Sequence, residues 1–222
     1  MKITDNAILK NARVLVTGGG GFLGKALIKR LLKQTPNIRS LSRKQYPELD
    51  TLGVEQIQGD ISDQAAVERA CQHRDIVFHV AAKTGGMWGA YQGFYETNVL
   101  GTRNIVQACK QQEIAYLIHT SSPSVVYDGG ADVMGVDESA PYPDGYQTSY
   151  QETKAQAERL VLQACQEGVV QAIILRPHLI WGPGDTHFVP RIIKQAKKLR
   201  RVGDGNNRID TTYIANAVQA HI

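Results

Sequence analysis

Glycine stands at Gly18, Gly21 and Gly24, directly after the apolar run RVLVT and directly before KALIKRLLK. Each glycine in a strand–turn–helix of this spacing answers a physical need. One permits the tight turn, one lets backbone N–H groups approach a phosphate, and one lets the helix pack close to the sheet. The helix start adds unpaired N–H groups and the positive end of its dipole. The stretch from Thr17 to Gly24 is therefore suited to the pyrophosphate of a nicotinamide dinucleotide.

A glycine motif alone is a weak signal, and its setting decides the reading. Short apolar, β-branched runs occur at Arg13–Thr17, Ile38–Ser42, Val54–Gln58, Ile76–Ala82, Tyr116–Ser121 and Gln171–Leu175. Amphipathic stretches lie among them at Gly21–Lys33, Asp63–Ala70, Gly93–Gln112 and Ser149–Gln166. This alternation predicts an α/β fold with right-handed crossovers, a doubly wound parallel sheet of the Rossmann type. Residues 1–187 read as the dinucleotide-binding domain. Residues 188–222 read as the beginning of a C-terminal part, because the pattern stops at Ile222 without a cap or stop signal. Two loops break the rhythm, KTGGMWGAYQ at 83–92 and the Gly/Pro/Asp-rich stretch 128–148. Ligands of such folds lie among loops at the carboxyl ends of the strands, so Met87 and Trp88 are candidates for a substrate wall.

Composition narrows the class. No stretch approaches the ~20 apolar residues a membrane-spanning helix needs, and the N-terminus lacks the apolar core of a secretory signal. Cys71, Cys109 and Cys165 form no C-x-x-C pair and fall in helical patterns. They read as buried thiols of a reducing compartment, which points to the cytoplasm. Much of the net charge of +4 comes from Arg191, Lys194, Lys197, Lys198, Arg200 and Arg201. Without interleaved aromatics, this run reads as a solvated helix face rather than a nucleic-acid stripe. The scattered histidines suggest no metal site.

The end of the second strand should meet the adenosine ribose. A carboxylate there would select NAD(H) and repel a 2′-phosphate; instead Ser42, Arg43 and Lys44 stand at that place. Arg43 can grip a phosphate with its planar fork and Ser42 can donate to it, so NADP(H) is favoured, with NAD(H) as the alternative. Asp60 is placed to bond the adenine amino group. It could also cap the helix near Gln64, although Ser62 or Asp63 would serve better.

Of the nine tyrosines, Tyr150 is the one with a lysine four residues on, at Lys154, and both fall on one face of a helix. A free tyrosine titrates near 10 and is a poor base at neutral pH. A neighbouring ammonium lowers that value, making the pair a usable acid/base device, and Lys154 can also hold ribose hydroxyls.

With these motifs in place, the chain resembles the extended short-chain dehydrogenase/reductases. The resemblance rests on TGGGGFLG, GDISD, Val80–Ala82, Asn98 in ETNVLGT, HTSSPSVVY, YQETK and LRPHLIWGPGD, which run in the family's order over nearly the whole chain. Within that family it is most similar to the 3β-hydroxysteroid dehydrogenase/isomerase branch. RPHLIWGPGD and VGDGNNRIDTTYI resemble the bacterial 2-alkyl-3-oxoalkanoate reductases of olefin synthesis most.

The resemblance implies an oxidoreductase that moves hydride between the cofactor and a ketone or secondary alcohol of a lipid-like small molecule. The substrate would be a 2-alkyl-3-oxoalkanoate or a 3β-hydroxysteroid. It implies cofactor contacts from Gly18, Gly20, Gly21, Phe22, Leu23, Gly24, Ile61, Ala81, Ala82, Lys83 and Asn98, and from Pro177, His178 and Leu179 on the nicotinamide side. A structural or ribose-facing role suits His178 better than a catalytic one. The family's polarising serine falls on Pro123, so a neighbour must substitute, Ser122 in preference to Ser124. Homodimers through the helices at Gly93–Gln112 and Ser149–Gln166 are a further implication. Two other readings share the motifs: a nucleotide-sugar epimerase or dehydratase with tightly held NAD, and a non-catalytic dinucleotide sensor.

Overall fold

The computed structural model describes residues 7–85, 90–130, 133–186, 188–201, 203–206 and 208–222. Six strands, β1 (Val14–Thr17), β2 (Ile38–Ser42), β3 (Glu55–Gln58), β4 (Ile76–His79), β5 (Tyr116–Thr120) and β6 (Gln171–Leu175), pair in parallel. Their order is β3-β2-β1-β4-β5-β6, the doubly wound arrangement, with the switch between β1 and β4. Every residue of β1 and β4 is buried, as expected for central strands covered on both faces.

The period-two alternation of the strands divides the core. Val14, Val16, Ile76, Phe78 and Ile118 face one side, packing with Leu23, Leu27, Ile28 and Leu31 of helix α1 (Phe22–Leu31). Leu15, Val77 and Leu117 face the other, against helices α3 (Gln64–Cys71), α5 (Gly101–Gln111) and α6 (Ser149–Gln166). The short helices α2 (Pro47–Thr51) and α4 (Tyr91–Phe94) complete the order up to α6. Helix starts follow their capping chemistry. Asp63 accepts from Ala65 N and Ala66 N to begin α3, and a Thr148/Gln151 capping box begins α6 at the expected residue.

Two expected elements come out differently. The strand predicted to reach Ala82 ends at His79, because Val80 N and Ala81 N donate to Thr17 Oγ1 instead of continuing the ladder. The single helix expected over Gly93–Gln112 is interrupted by a π-helical turn at Tyr95–Leu100 between α4 and α5. That wider turn contains Asn98, whose buried side chain bonds outside the helix.

Beyond β6, strands β7 (Leu179–Trp181) and β8 (Thr211–Tyr213) pair in parallel, a small sheet absent from the periodicity reading. Helix α7 (Phe188–Gln195) carries Arg191 and Lys194, and all six cations of the basic run are exposed. Helix α8 (Ile214–His221) returns to the core, where Ile214, Ala217 and Val218 join the cluster around α1. Cys71 and Cys109 are buried and Cys165 is half-buried, all as free thiols. Among the described residues no helix is long and apolar enough to cross a membrane.

Candidate active site

The glycine turn sits at the carboxyl end of β1, where the backbone leaves no room for side chains. Gly18 adopts φ +72°, and a Cβ there would come within 2.9 Å of Ala81 Cα. A Cβ on Gly24 would overlap the Gly18 carbonyl oxygen. The turn closes through Gly21 N donating to Gly18 O at 2.9 Å, and α1 begins at Phe22 with no acidic residue in its first turn. That leaves a cradle of backbone donors under a positive helix end, which fits a pyrophosphate. Leu23 is buried in the core, so it can meet such a group through its backbone alone.

Ser42 faces this cradle, its Oγ accepting from Gly20 N at 3.4 Å. Arg43 beside it is exposed, and among the described residues its guanidinium forms no ion pair. Tyr46, unmarked by any sequence motif, lays its ring against Gly20, where a Cβ would overlap it. Lys25 Nζ stands 5.3 Å from the centre of that ring.

Asp60 is half-buried and binds Ser62 N and Ser62 Oγ through Oδ1, both at 2.9 Å. The cap of α3 belongs to Asp63, so Asp60 is spared that duty. Ile61 is buried against Gly101. The loop it belongs to is pinned by Asn104 Nδ2, which donates to Ile61 O and Ser62 O.

Across the switch point, Ala81 borders Gly18. Asn98 Oδ1 accepts from Lys83 N at 2.8 Å, while Asn98 Nδ2 donates to Lys83 O and to Thr153 Oγ1 at 3.1 Å. The loop after β4 is thereby tied to α6. Pro177 is half-buried, and His178 and Leu179 are exposed, Leu179 opening β7. Met87 and Trp88 lie outside the described residues.

The structure brings Tyr150, Lys154, Ser122 and Ser124 together at the carboxyl end of β5. Ser124 Oγ lies 2.8 Å from Ser122 Oγ, and the Ser122 hydroxyl is close enough to the Tyr150 phenol to influence its titration. The Phe94 ring meets Tyr150 edge-on, centroids 6.5 Å apart. Burial raises the Tyr150 pKa above its ordinary value, and the neighbouring Ser122 hydroxyl opposes that rise.

Lys154 is 2% exposed and donates to the Thr120 carbonyl at 2.7 Å. Burial brings its pKa down to about 8, with Glu158 acting in the opposite sense. The expected lowering of the tyrosine's pKa by the lysine is absent here; Thr120 engages the ammonium, and burial dominates the phenol.

Sequence reasoning passed over Thr120, whose contribution is a carbonyl and carries no side-chain signature. It also passed over Glu158, although Tyr150, Lys154 and Glu158 recur every four residues along one face of α6.

Comparison with known proteins gives this geometry its relatives. The 2-alkyl-3-oxoalkanoate reductase of Stenotrophomonas maltophilia is 46% identical over 213 residues, 94% of this chain and 64% of that protein. The decarboxylating sterol-4-alpha-carboxylate 3-dehydrogenase of Candida albicans is 35% identical, over 94% of this chain and 63% of that protein. The chain thus spans slightly under two thirds of the length of these relatives. Among solved structures, the Thermus thermophilus UDP-glucose 4-epimerase complex with NAD superposes with a TM-score of 0.80 at 25% identity, covering 94% of this chain and 73% of that one. Residues 15–222 match the 3-beta hydroxysteroid dehydrogenase/isomerase family, and to that family the chain belongs.

Proposed function

We propose that this chain carries the dinucleotide-binding and proton-transfer part of an NADP(H)-dependent reductase whose substrate is the ketone of a 2-alkyl-3-oxoalkanoate. The observation that carries this reading is the grouping of Ser122, Ser124 and Tyr150 with buried Lys154 at the carboxyl end of β5. It lies at the same strand ends as a glycine cradle shaped for a pyrophosphate.

In this reading the backbone of Gly18, Gly20, Gly21, Phe22, Leu23 and Gly24 holds the pyrophosphate. Asp60 takes the adenine, with Ile61 beside it, and Ser42 and Arg43 take the 2′-phosphate. Ala81, Ala82 and Lys83, braced by Asn98, border the ring side together with Pro177, His178 and Leu179. Lys154 holds the ribose next to the nicotinamide. The bound dinucleotide supplies the hydride.

The chain's own residues manage the proton. A phenol pKa raised by burial keeps Tyr150 protonated at neutral pH, which suits a donor to a carbonyl oxygen becoming an alkoxide. Ser122 hydrogen-bonds the same oxygen and then the phenolate left behind. Lys154 stands one turn along the same helix face, held on the Thr120 carbonyl.

Residues 1–187 form the dinucleotide-binding domain in this account, and 188–222 begin the part that shapes the substrate pocket. The protein acts in the cytoplasm, as a homodimer through the helices around α5 and α6. The name of the Stenotrophomonas relative supports the substrate class, and the Candida relative makes a 3β-hydroxysteroid the second choice. Arg43 in place of a carboxylate argues against an epimerase with tightly held NAD, and retention of Tyr150 and Lys154 argues against a mere sensor.

Initial rates with NADPH and NADH test this, measured against a 2-alkyl-3-oxoalkanoate, a 3β-hydroxysteroid and a UDP-hexose. NADPH-dependent reduction of the oxo acid is expected. Turnover of the UDP-hexose by protein that keeps NAD through desalting would overturn the reading.

A further inference from the structure

Glu158 has no place in the proton path described above, yet its side chain is 1% exposed and fully engaged. Arg176 grips it with Nη2 at 2.6 Å and Nε at 3.1 Å from Oε1, and Tyr142 Oη donates to the same oxygen at 2.6 Å. Three separate segments converge here: α6, the residue after β6, and the long loop before α6. Arg159 and Arg176 also lie over the Tyr142 ring, 4.4 and 5.8 Å from its centre. Burial pushes the Glu158 carboxyl upward, but its donors and the Arg176 charge outweigh that and hold it below the ordinary carboxylate range. Well-packed apolar residues commonly stabilise a core as well as a buried ion pair does, so stability alone does not account for this one.

Its position suggests what it serves. Glu158 stands one helical turn beyond Lys154, on the face that also carries Tyr150. The groups acting on Lys154 from the packed elements are His79 on β4, His119 on β5 and Glu158 on α6. Both histidines are buried with strongly lowered pKa values, so at neutral pH they are uncharged. Of these three groups, Glu158 alone carries a negative charge, and it stands one helical turn from the buried ammonium. Arg176 and Tyr142 hold that carboxylate in place, leaving Lys154 on the Thr120 carbonyl.

We propose that Glu158, clamped by Arg176 and Tyr142, is a positioning residue that sets the charge of Lys154 from one turn away. The consequence for turnover rests on the reductase reading, whereas the lysine's titration does not. The test follows the Lys154 side-chain carbon by NMR in lysine-labelled, cofactor-free protein across the alkaline range, assigning the signal with Lys154→Met. In Glu158→Gln the midpoint is expected to fall from about 8 to about 7 or lower. In Arg176→Gln, which unmasks the carboxylate, it is expected to rise. A general loosening of the core would move both variants the same way. Should either variant fail to fold by circular dichroism, Tyr142→Phe replaces it, with a rise expected. A folded variant with an unchanged midpoint would overturn the proposal, whether or not the protein turns over any substrate.

Discussion

The Nζ of Lys154 lies 2.7 Å from the carbonyl oxygen of Thr120, in a seat closed to solvent. A guanidinium is larger and planar, so Lys154→Arg keeps the charge and loses the fit. Overpacking of this kind costs about 1–3 kcal/mol. Urea unfolding should show a loss in that range, and Lys154→Arg should recover no more turnover than Lys154→Met. Full activity in Lys154→Arg would show that charge alone suffices.

The two serines should separate kinetically. In the proposed function Ser122 assists Tyr150, and Ser124 acts through its hydroxyl contact with Ser122. Ser122→Ala is expected to lower kcat about a hundredfold, the scale of losing one donor at a developing oxyanion. Ser124→Ala should lower it only several-fold. Equal losses would mean that Ser124 contacts the substrate itself.

Coenzyme preference should reside in Arg43. Its exposed guanidinium has no ion-pair partner among the described residues. Arg43→Ala is expected to raise KM for NADPH about tenfold or more, the worth of a charge-assisted hydrogen bond at ~1.5–3 kcal/mol. KM for NADH should change little. Parallel changes for the two coenzymes would remove the 2′-phosphate from the account.

Acid should weaken the fold through two histidines under α6. Burial pushes His79 down to about 3 and His119 well below its ordinary value, the Lys154 charge adding to both. Below pH 6.5 the unfolded chain binds protons that the folded chain refuses, so stability falls as pH falls from there toward 3. The slope approaches about 1.4 kcal/mol per pH unit for each histidine. Above pH 6.5 neither histidine contributes a pH dependence. Urea unfolding at pH 7, 5 and 4 should show this slope diminish in His119→Leu. An unchanged slope would mean that His119 titrates normally.

Much of the molecule is legible in the sequence. The positions of β1, β2, β5, β6 and α6 follow from periodicity and capping, because central strands and well-capped helices obey local rules. The grouping of Tyr150 with Lys154 follows from helical spacing. What escaped the sequence depends on distant partners. The π-turn at Tyr95–Leu100 arises where Asn98 reaches the backbone of Lys83. The end of β4 depends on Thr17 Oγ1. The pairing of β7 with β8 joins residues about thirty positions apart through runs of three residues, too short to show a period. The preference for Ser122 over Ser124 is a narrow one in the sequence, since the displaced Pro123 leaves both within reach.

In the proposed function Tyr150 transfers the proton in a site that holds NADPH independently of that phenol. The most direct measurement pairs NADPH binding by calorimetry with NADPH consumption in the presence of a 2-alkyl-3-oxoalkanoate, on the parent protein and on Tyr150→Phe. The expected result is binding within about twofold and turnover reduced by about a thousandfold, within the range for loss of a general acid. Turnover in Tyr150→Phe equal to that of the parent would contradict the account.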